Sequence, residues 1–232
     1  MTINVVEKYI ESNKQLIILI SGLSGSGKSE LGKNVSNDFK IKLLNMKTFY
    51  KPTFNETLKM PNEKIVVNYD TDDAIDWDKF NKEINEVKQK GVVVISPVFP
   101  TDKLNFNPNY HIHLKISKQE LKKKRTEYIE KHKDKNFDLE TELLRVNVAT
   151  YPYYLNSLKR MKIDKFIDVT EMTDDEIYDI IFDSIIKFIE SDIYSEKYIH
   201  KKEPVKEKHE RPISEMTETT NDYIVSYEVN DE

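Results

Sequence analysis

Residues 16–32 read Leu16-Ile17-Ile18-Leu19-Ile20-Ser21-Gly22-Leu23-Ser24-Gly25-Ser26-Gly27-Lys28-Ser29-Glu30-Leu31-Gly32. The apolar run ending at Ser21 is long enough for one buried strand. Gly22, Gly27, Lys28 and Ser29 then fit G-x-x-x-x-G-K-[ST], and Leu31 with Val35 continues a helical face. Strand, glycine-rich loop and helix in that order are the context that a phosphate-binding P-loop requires. Four of the chain's five glycines fall in this stretch. A phosphate chain needs converging backbone N–H donors, which side chains at these loop positions would block. A helix starting near Lys28 adds the positive end of its dipole. Gly22, Ser24, Gly25, Ser26, Gly27, Lys28 and Ser29 are therefore the candidate nucleotide-binding residues. Lys28 is expected to reach the β- and γ-phosphates of ATP, and the Ser29 hydroxyl to bind Mg²⁺. The alternative is a glycine-rich turn that holds no ligand.

Around this motif the composition is that of a soluble globular protein, with 38% hydrophobic and 33% charged residues in 232. Three segments are expected: an N-terminal helix over 1–14, a main domain over 15–199 and a disordered acidic tail over 200–232. The tail from Lys201 holds five Lys/Arg and nine Asp/Glu, a net of −4 out of −5 for the chain. The longest apolar runs are far too short to span a membrane. No signal peptide is visible, so the cytoplasm is the expected location. With no cysteine, disulfides, thiol catalysis and Cys-ligated zinc are excluded.

Apolar runs alternate with helical periodicity. Strands are expected over 15–21, 41–46, 92–96, 110–116 and 165–169. Helices are expected over 28–38, 76–90 and 137–160, the last kinked or split by Pro152. Residues 48–64, with Pro52 and Pro61, read as mostly loop. Ser117/Glu120 and Thr173/Glu176 are capping boxes that open two further helices. The fold class that follows is α/β: a P-loop NTPase three-layer sandwich with a central, mainly parallel sheet of about five strands and a helical lid. Ligands in such sheets sit at the C-terminal strand ends, so residues 46–52, 96–102 and the helix after Ser117 should meet around the loop. That helix carries Lys122, Lys123, Lys124 and Arg125 and reads either as a phosphate-facing lid or as a solvated face.

With these segments placed, residues 22–29, the Phe49-Tyr50-Lys51-Pro52 segment and the Asp-rich stretch 68–76 together resemble the uridine kinase and nicotinamide riboside kinase family, over about residues 15–189. Phe49-Tyr50-Lys51-Pro52 is similar to the aromatic Asp-Phe-Phe-Lys-Pro segment after strand two of the riboside kinases. Asn68-Tyr69-Asp70-Thr71-Asp72-Asp73-Ala74-Ile75-Asp76 resembles the family stretch Asn-Phe-Asp-His-Pro-Asp-Ala-Phe-Asp and is what narrows the choice. Lys122 to Arg125 resembles the basic lid helix, and Tyr151 to Tyr154 with Met161 a riboside-kinase aromatic–methionine pairing. The resemblance implies phosphorylation of the 5′-hydroxyl of uridine, cytidine or nicotinamide riboside by ATP.

By the same resemblance, Asp70 matches the carboxylate that grips ribose hydroxyls, though in an Asp-rich loop it could equally cap a helix or form a turn. Tyr69, with Phe49 or Tyr50, matches aromatics that stack on the substrate base; as plain sequence they read as core. Arg125 matches a lid arginine that meets the transferring phosphoryl group, or is a solvated helix charge. Two positions depart from the family. Its catalytic aspartate falls at Lys47 or Thr48, and the glutamate after its central strand falls at Ser96. A catalytically impaired, nucleotide-binding pseudokinase is accordingly the alternative reading. His111 and His113, two apart on one strand, are expected on the sheet surface rather than on a metal. The expected partner is a small-molecule nucleoside or riboside, with no nucleic acid and no membrane.

Overall fold

The computed structural model describes residues 2–132 and 138–199; the acidic tail expected over 200–232 lies outside the described residues. The chain begins with α1 (Thr2–Asn13), followed by β1 (Ile17–Gly22), α2 (Lys28–Phe39) and β2 (Lys42–Asn45). A short hairpin, β3 (Thr57–Lys59) and β4 (Ile65–Val67), precedes α3 (Trp77–Val87) and β5 (Val92–Ser96). Then come β6 (Tyr110–Lys115), α4 (Lys118–His132), α5 (Leu139–Arg145), α6 (Tyr151–Leu158), β7 (Lys165–Asp168) and α7 (Asp174–Ile199).

Five strands form one sheet in the order β2-β5-β1-β6-β7, with every pairing parallel. Parallel neighbours need crossovers, and here helices supply most of them on both faces. In β1, Ile18 and Ile20 join the cluster beneath α1, α2 and α7, while Ile17 and Leu19 join the one beneath α3. This alternation explains why β1 is buried at every position and reads as an unbroken apolar run. The α7 capping box forms in full: Glu176 N donates to Thr173 Oγ1 (3.3 Å) and Thr173 N to Glu176 Oε2 (2.9 Å). Among the described residues, no helix is long and apolar enough to cross a membrane.

The structure refines two sequence expectations and corrects one. The stretch read as mostly loop over 48–64 also contributes β3 to an antiparallel hairpin with β4. Three-residue strands are too short for alternation to declare itself. The helix expected over 137–160, kinked or split by Pro152, is split: α5 and α6 are joined by a π turn over Val146–Thr150. Pro152, at the start of α6, has no N–H for the carbonyl four residues back, and the widened turn precedes it. The start of that expected helix, Phe137, lies outside the described residues.

The correction concerns His111 and His113, which are buried, at 1% and 0% exposure, because β6 is covered on both faces. They belong to a chain of hydrogen bonds whose direction can be assigned. His111 Nδ1 donates to the Lys162 carbonyl (2.7 Å), so its neutral Nε2 accepts from Ser21 Oγ (2.7 Å). Ser21 Oγ then accepts from His113 Nδ1 (2.7 Å), and His113 Nε2 accepts from the Tyr154 hydroxyl (2.7 Å). Burial pushes both imidazoles down to about 4, helped for His113 by the neighbouring His111.

A histidine whose folded pKa lies below its unfolded value contributes full stability above the unfolded pKa and loses it as pH falls toward the folded one. Between pH 7 and pH 5 the fold should therefore lose about 2 kcal/mol per buried histidine. Urea unfolding at the two pH values measures this. His113→Gln should show a shallower pH slope, and equal slopes would exclude the assignment.

Candidate active site

The loop joining β1 to α2 turns where only glycine fits. At Gly22 (φ +152°) a Cβ would lie 2.6 Å from the Leu114 carbonyl oxygen and 2.8 Å from Ser26 Oγ. Gly27, the cap residue of α2, has φ +81°, so the helix opens from a left-handed residue. Lys28 is 8% exposed, and its Nζ donates to the Leu23 carbonyl (3.2 Å). Burial, then the positive charges of Lys47 and Arg125, push the Lys28 ammonium down to about 7. Among the described residues the buried Ser26 hydroxyl has no hydrogen-bond partner, and a buried orphan hydroxyl calls for an occupant that can bond to it.

The three stretches expected to converge here do so. Ser24, Lys47 and Arg125, with Pro97 and Val98 after β5, border one cavity of about 490 Å³. A second cavity of about 300 Å³ adjoins it between the loop and α4, bordered by Gly25, Lys124 and Glu142 as well as Lys47 and Arg125. Arg125 Nη1 donates to Ser24 Oγ (3.3 Å) and Nη2 to Glu142 Oε2 (2.5 Å). Arg125 thus faces the P-loop rather than open solvent. Ser29 is exposed on the first turn of α2.

Asp70 lines the larger cavity. Its Oδ2 accepts from Arg145 Nε (3.1 Å) and Thr150 Oγ1 (2.9 Å). No partner occupies Oδ1 among the described residues. Tyr50 and Tyr69 stand beside it with ring centroids 5.2 Å apart, and Tyr69 is 38% exposed. Burial, then the Asp70 carboxylate, push the Tyr50 phenol up. Phe49 is not part of this wall. It is 2% exposed and packs edge-on against Phe80 beneath α3, so of the candidate pair Tyr50 alone reaches the cavity.

Asp72 and Asp102 are tied to one arginine. Arg160 Nη1 donates to Asp72 Oδ2 (2.8 Å) and to Asp102 Oδ2 (3.1 Å), and the Tyr153 hydroxyl donates to Asp72 Oδ1 (2.8 Å). Burial raises the Asp72 carboxyl, but the hydrogen bonds from Arg160 and Tyr153 outweigh it and hold the group below the usual carboxylate range. These acids brace α6 against the 72–102 segments.

The sequence reading missed Arg145, Thr150 and Glu142. All three come from α5 and the π turn, at 75 and 80 positions from Asp70 for the first two, and no local motif marks them. Glu142, 8% exposed, pairs with Arg125 and lies 3.9 Å from Arg145 Nη1.

P-loop folds commonly use Mg²⁺, held by the P-loop Ser/Thr and a carboxylate from a neighbouring strand. The donor set here does not fit a protein-held Mg²⁺. Ser29 offers one hydroxyl. Ser96, ending β5, turns its Oγ onto the Val98 carbonyl (2.7 Å). Asp70 and Glu142 are each neutralised by arginine.

The fold is that of an α/β P-loop NTPase. No family model matches the chain. The chain is similar to the nicotinamide riboside kinase of Saccharomyces cerevisiae, 30% identical over 83 residues, which are 35% of this chain and 34% of that protein. The match thus spans about a third of that relative's length. Among solved structures, the chain is similar to a gluconokinase from Sinorhizobium meliloti (15% identity, TM-score 0.46, 81% of this chain and 98% of that one). It is also similar to the thymidylate kinase from Candida albicans (17% identity, TM-score 0.45, 74% and 91%).

Proposed function

We propose that the protein is an ATP-dependent kinase that phosphorylates the 5′-hydroxyl of a nucleoside or riboside. The observation that carries this reading is Asp70, which holds a carboxylate oxygen open in the same cavity that Lys47 and Arg125 share with the P-loop. A carboxylate accepts two hydroxyl hydrogen bonds, which suits a ribose diol, and Tyr50 and Tyr69 offer ring faces for a base. The stretch of identity with the yeast riboside kinase supports the same acceptor class.

In this reading the loop N–H groups and the helix dipole hold the β- and γ-phosphates. Lys28 and Arg125 stabilise the charge that spreads over the phosphoryl oxygens in transfer. The arrival of the triphosphate returns Lys28 to its charged form by pairing it with an anion. Asp70 fixes the sugar, which aims its hydroxyl at the γ-phosphorus. Transfer through a loose transition state depends mainly on such positioning and electrostatics, so turnover survives without a dedicated base, but slowly. Positioned acid–base catalysis is worth about 10²–10⁴-fold, and the rate should fall short of a fully equipped kinase by that order.

The test is incubation with ATP and uridine, cytidine or nicotinamide riboside, with and without Mg²⁺, followed by chromatography for the monophosphate. Slow product formation with at least one riboside is expected. ATP binding without product from any of them would overturn the kinase reading in favour of a binding protein.

A further inference from the structure

We propose that Lys47 supplies the positive charge that a divalent cation would otherwise bring to the triphosphate, so that this site binds ATP without needing Mg²⁺. The inference rests on the nucleotide-binding half of the proposed function. It does not depend on any acceptor being phosphorylated.

Four observations converge on it. Lys47 lies two residues past the C-terminal end of β2, the sheet end where the P-loop opens. Its backbone position is pinned, because Lys47 N donates to Asn45 Oδ1 (3.0 Å) and Thr48 Oγ1 to the Asn45 carbonyl (2.9 Å). Lys47 borders both cavities, as do Ser24 of the loop and Arg125 of α4. Lys47 has no ion-pair partner among the described residues, whereas the acids bordering the cavities, Asp70 and Glu142, already hold arginines.

A compact ammonium at this position does two things. It neutralises phosphate oxygens directly, as a point charge with three donors. It also repels a metal ion that would lie between the same oxygens and the protein. A protein-held Mg²⁺ would need carboxylate oxygens, and recruiting Asp70 or Glu142 would strip a partly buried arginine of its partner. The loop therefore sits in the field of Lys47 and Lys124, neither of them ion-paired among the described residues, while Glu142 balances Arg125. A polyphosphate discharges that field in full only when it arrives without a cation of its own.

The experiment is calorimetric titration of the full chain with ATP, in excess Mg²⁺ and in excess chelator. Wild type should differ by less than about threefold between the two. Lys47→Ala should weaken binding about tenfold in chelator and less in Mg²⁺, since one charge-assisted contact is lost. Lys47→Asp should lose about 100-fold in chelator and recover in Mg²⁺, because the new carboxylate repels bare phosphate and gives the cation a ligand. Thermal unfolding of each variant shows that the fold persists. A wild type that binds only with Mg²⁺, or variants with unchanged metal dependence, would overturn the proposal while leaving the kinase reading intact. Metal-independent binding without riboside phosphorylation would uphold it and end the kinase reading. No ATP binding in either condition would overturn both.

Discussion

Lys28→Ala should weaken ATP binding about 100-fold, as measured by calorimetry on wild type and variant side by side. Lys28 is held at the mouth of the loop, its Nζ on the Leu23 carbonyl, with Lys47 and Arg125 near enough to depress its pKa. In the free protein this ammonium is unfavourably placed, buried and faced by like charges. Bound phosphate reverses both terms, since it pairs the ammonium and offsets its neighbours. The binding energy lost on truncation is therefore larger than for an exposed lysine, whose ion pairs are worth at most about 1 kcal/mol. Removal of a buried, partly unfavourable charge should also leave the free fold as stable as before, or more so. A loss of affinity together with a lowered melting temperature would point to misfolding instead. Equal affinity in the two proteins would remove the P-loop from the nucleotide site altogether.

Asp70→Asn is expected to raise the KM for the riboside by about 30-fold or more, with ATP affinity changed little. Arg145 and Thr150 both bond to Oδ2, so Oδ1 is the oxygen available to a sugar hydroxyl. An amide has one acceptor oxygen in place of two. If that oxygen stays on Arg145 and Thr150, the sugar meets an NH₂ group where it needs an acceptor. If the amide turns over, Arg145 loses its bond to residue 70 and keeps only the more distant Glu142, which Arg125 also holds. Either way the acceptor site is damaged while the loop, on the other side of the cavity, is untouched. Thr150→Val is the companion variant. It removes one support of Asp70 without touching the free oxygen, and should cost only about fivefold in KM. A larger effect from Thr150→Val than from Asp70→Asn would assign Asp70 a structural role in holding the π turn rather than a sugar-binding one.

Which of these features were legible beforehand follows from how far apart in the chain their parts lie. The P-loop is contiguous. Its glycines, its lysine and the flanking strand and helix are specified within about twenty residues, and their conformation follows from local backbone physics. The parallel sheet was legible for a similar reason. Runs such as residues 17–20 and 92–95 are apolar on both faces, which only a strand covered on both sides requires. The capping box at Thr173 and Glu176 marked the start of α7 because its two hydrogen bonds close within four residues.

Tertiary packing decided the rest. Phe49 and Tyr50 are adjacent and chemically alike, yet one is core and the other cavity wall, because α3 brings Phe80 against the first. His111 and His113 read as polar positions, but β6 lies between β1 and β7, and Ser21 and Tyr154 satisfy their nitrogens from 41 to 92 residues away. The partners of Asp70 and Arg125 come from α5 and the π turn, placed by the packing of those helices and not by any spacing in the chain. A sequence states which groups are available, and near neighbours fix their own geometry. Whether, among the described residues, a carboxylate such as Asp70 keeps an oxygen free or a lysine such as Lys47 remains unpaired depends on side chains that meet only when the sheet and its covering helices have closed around them.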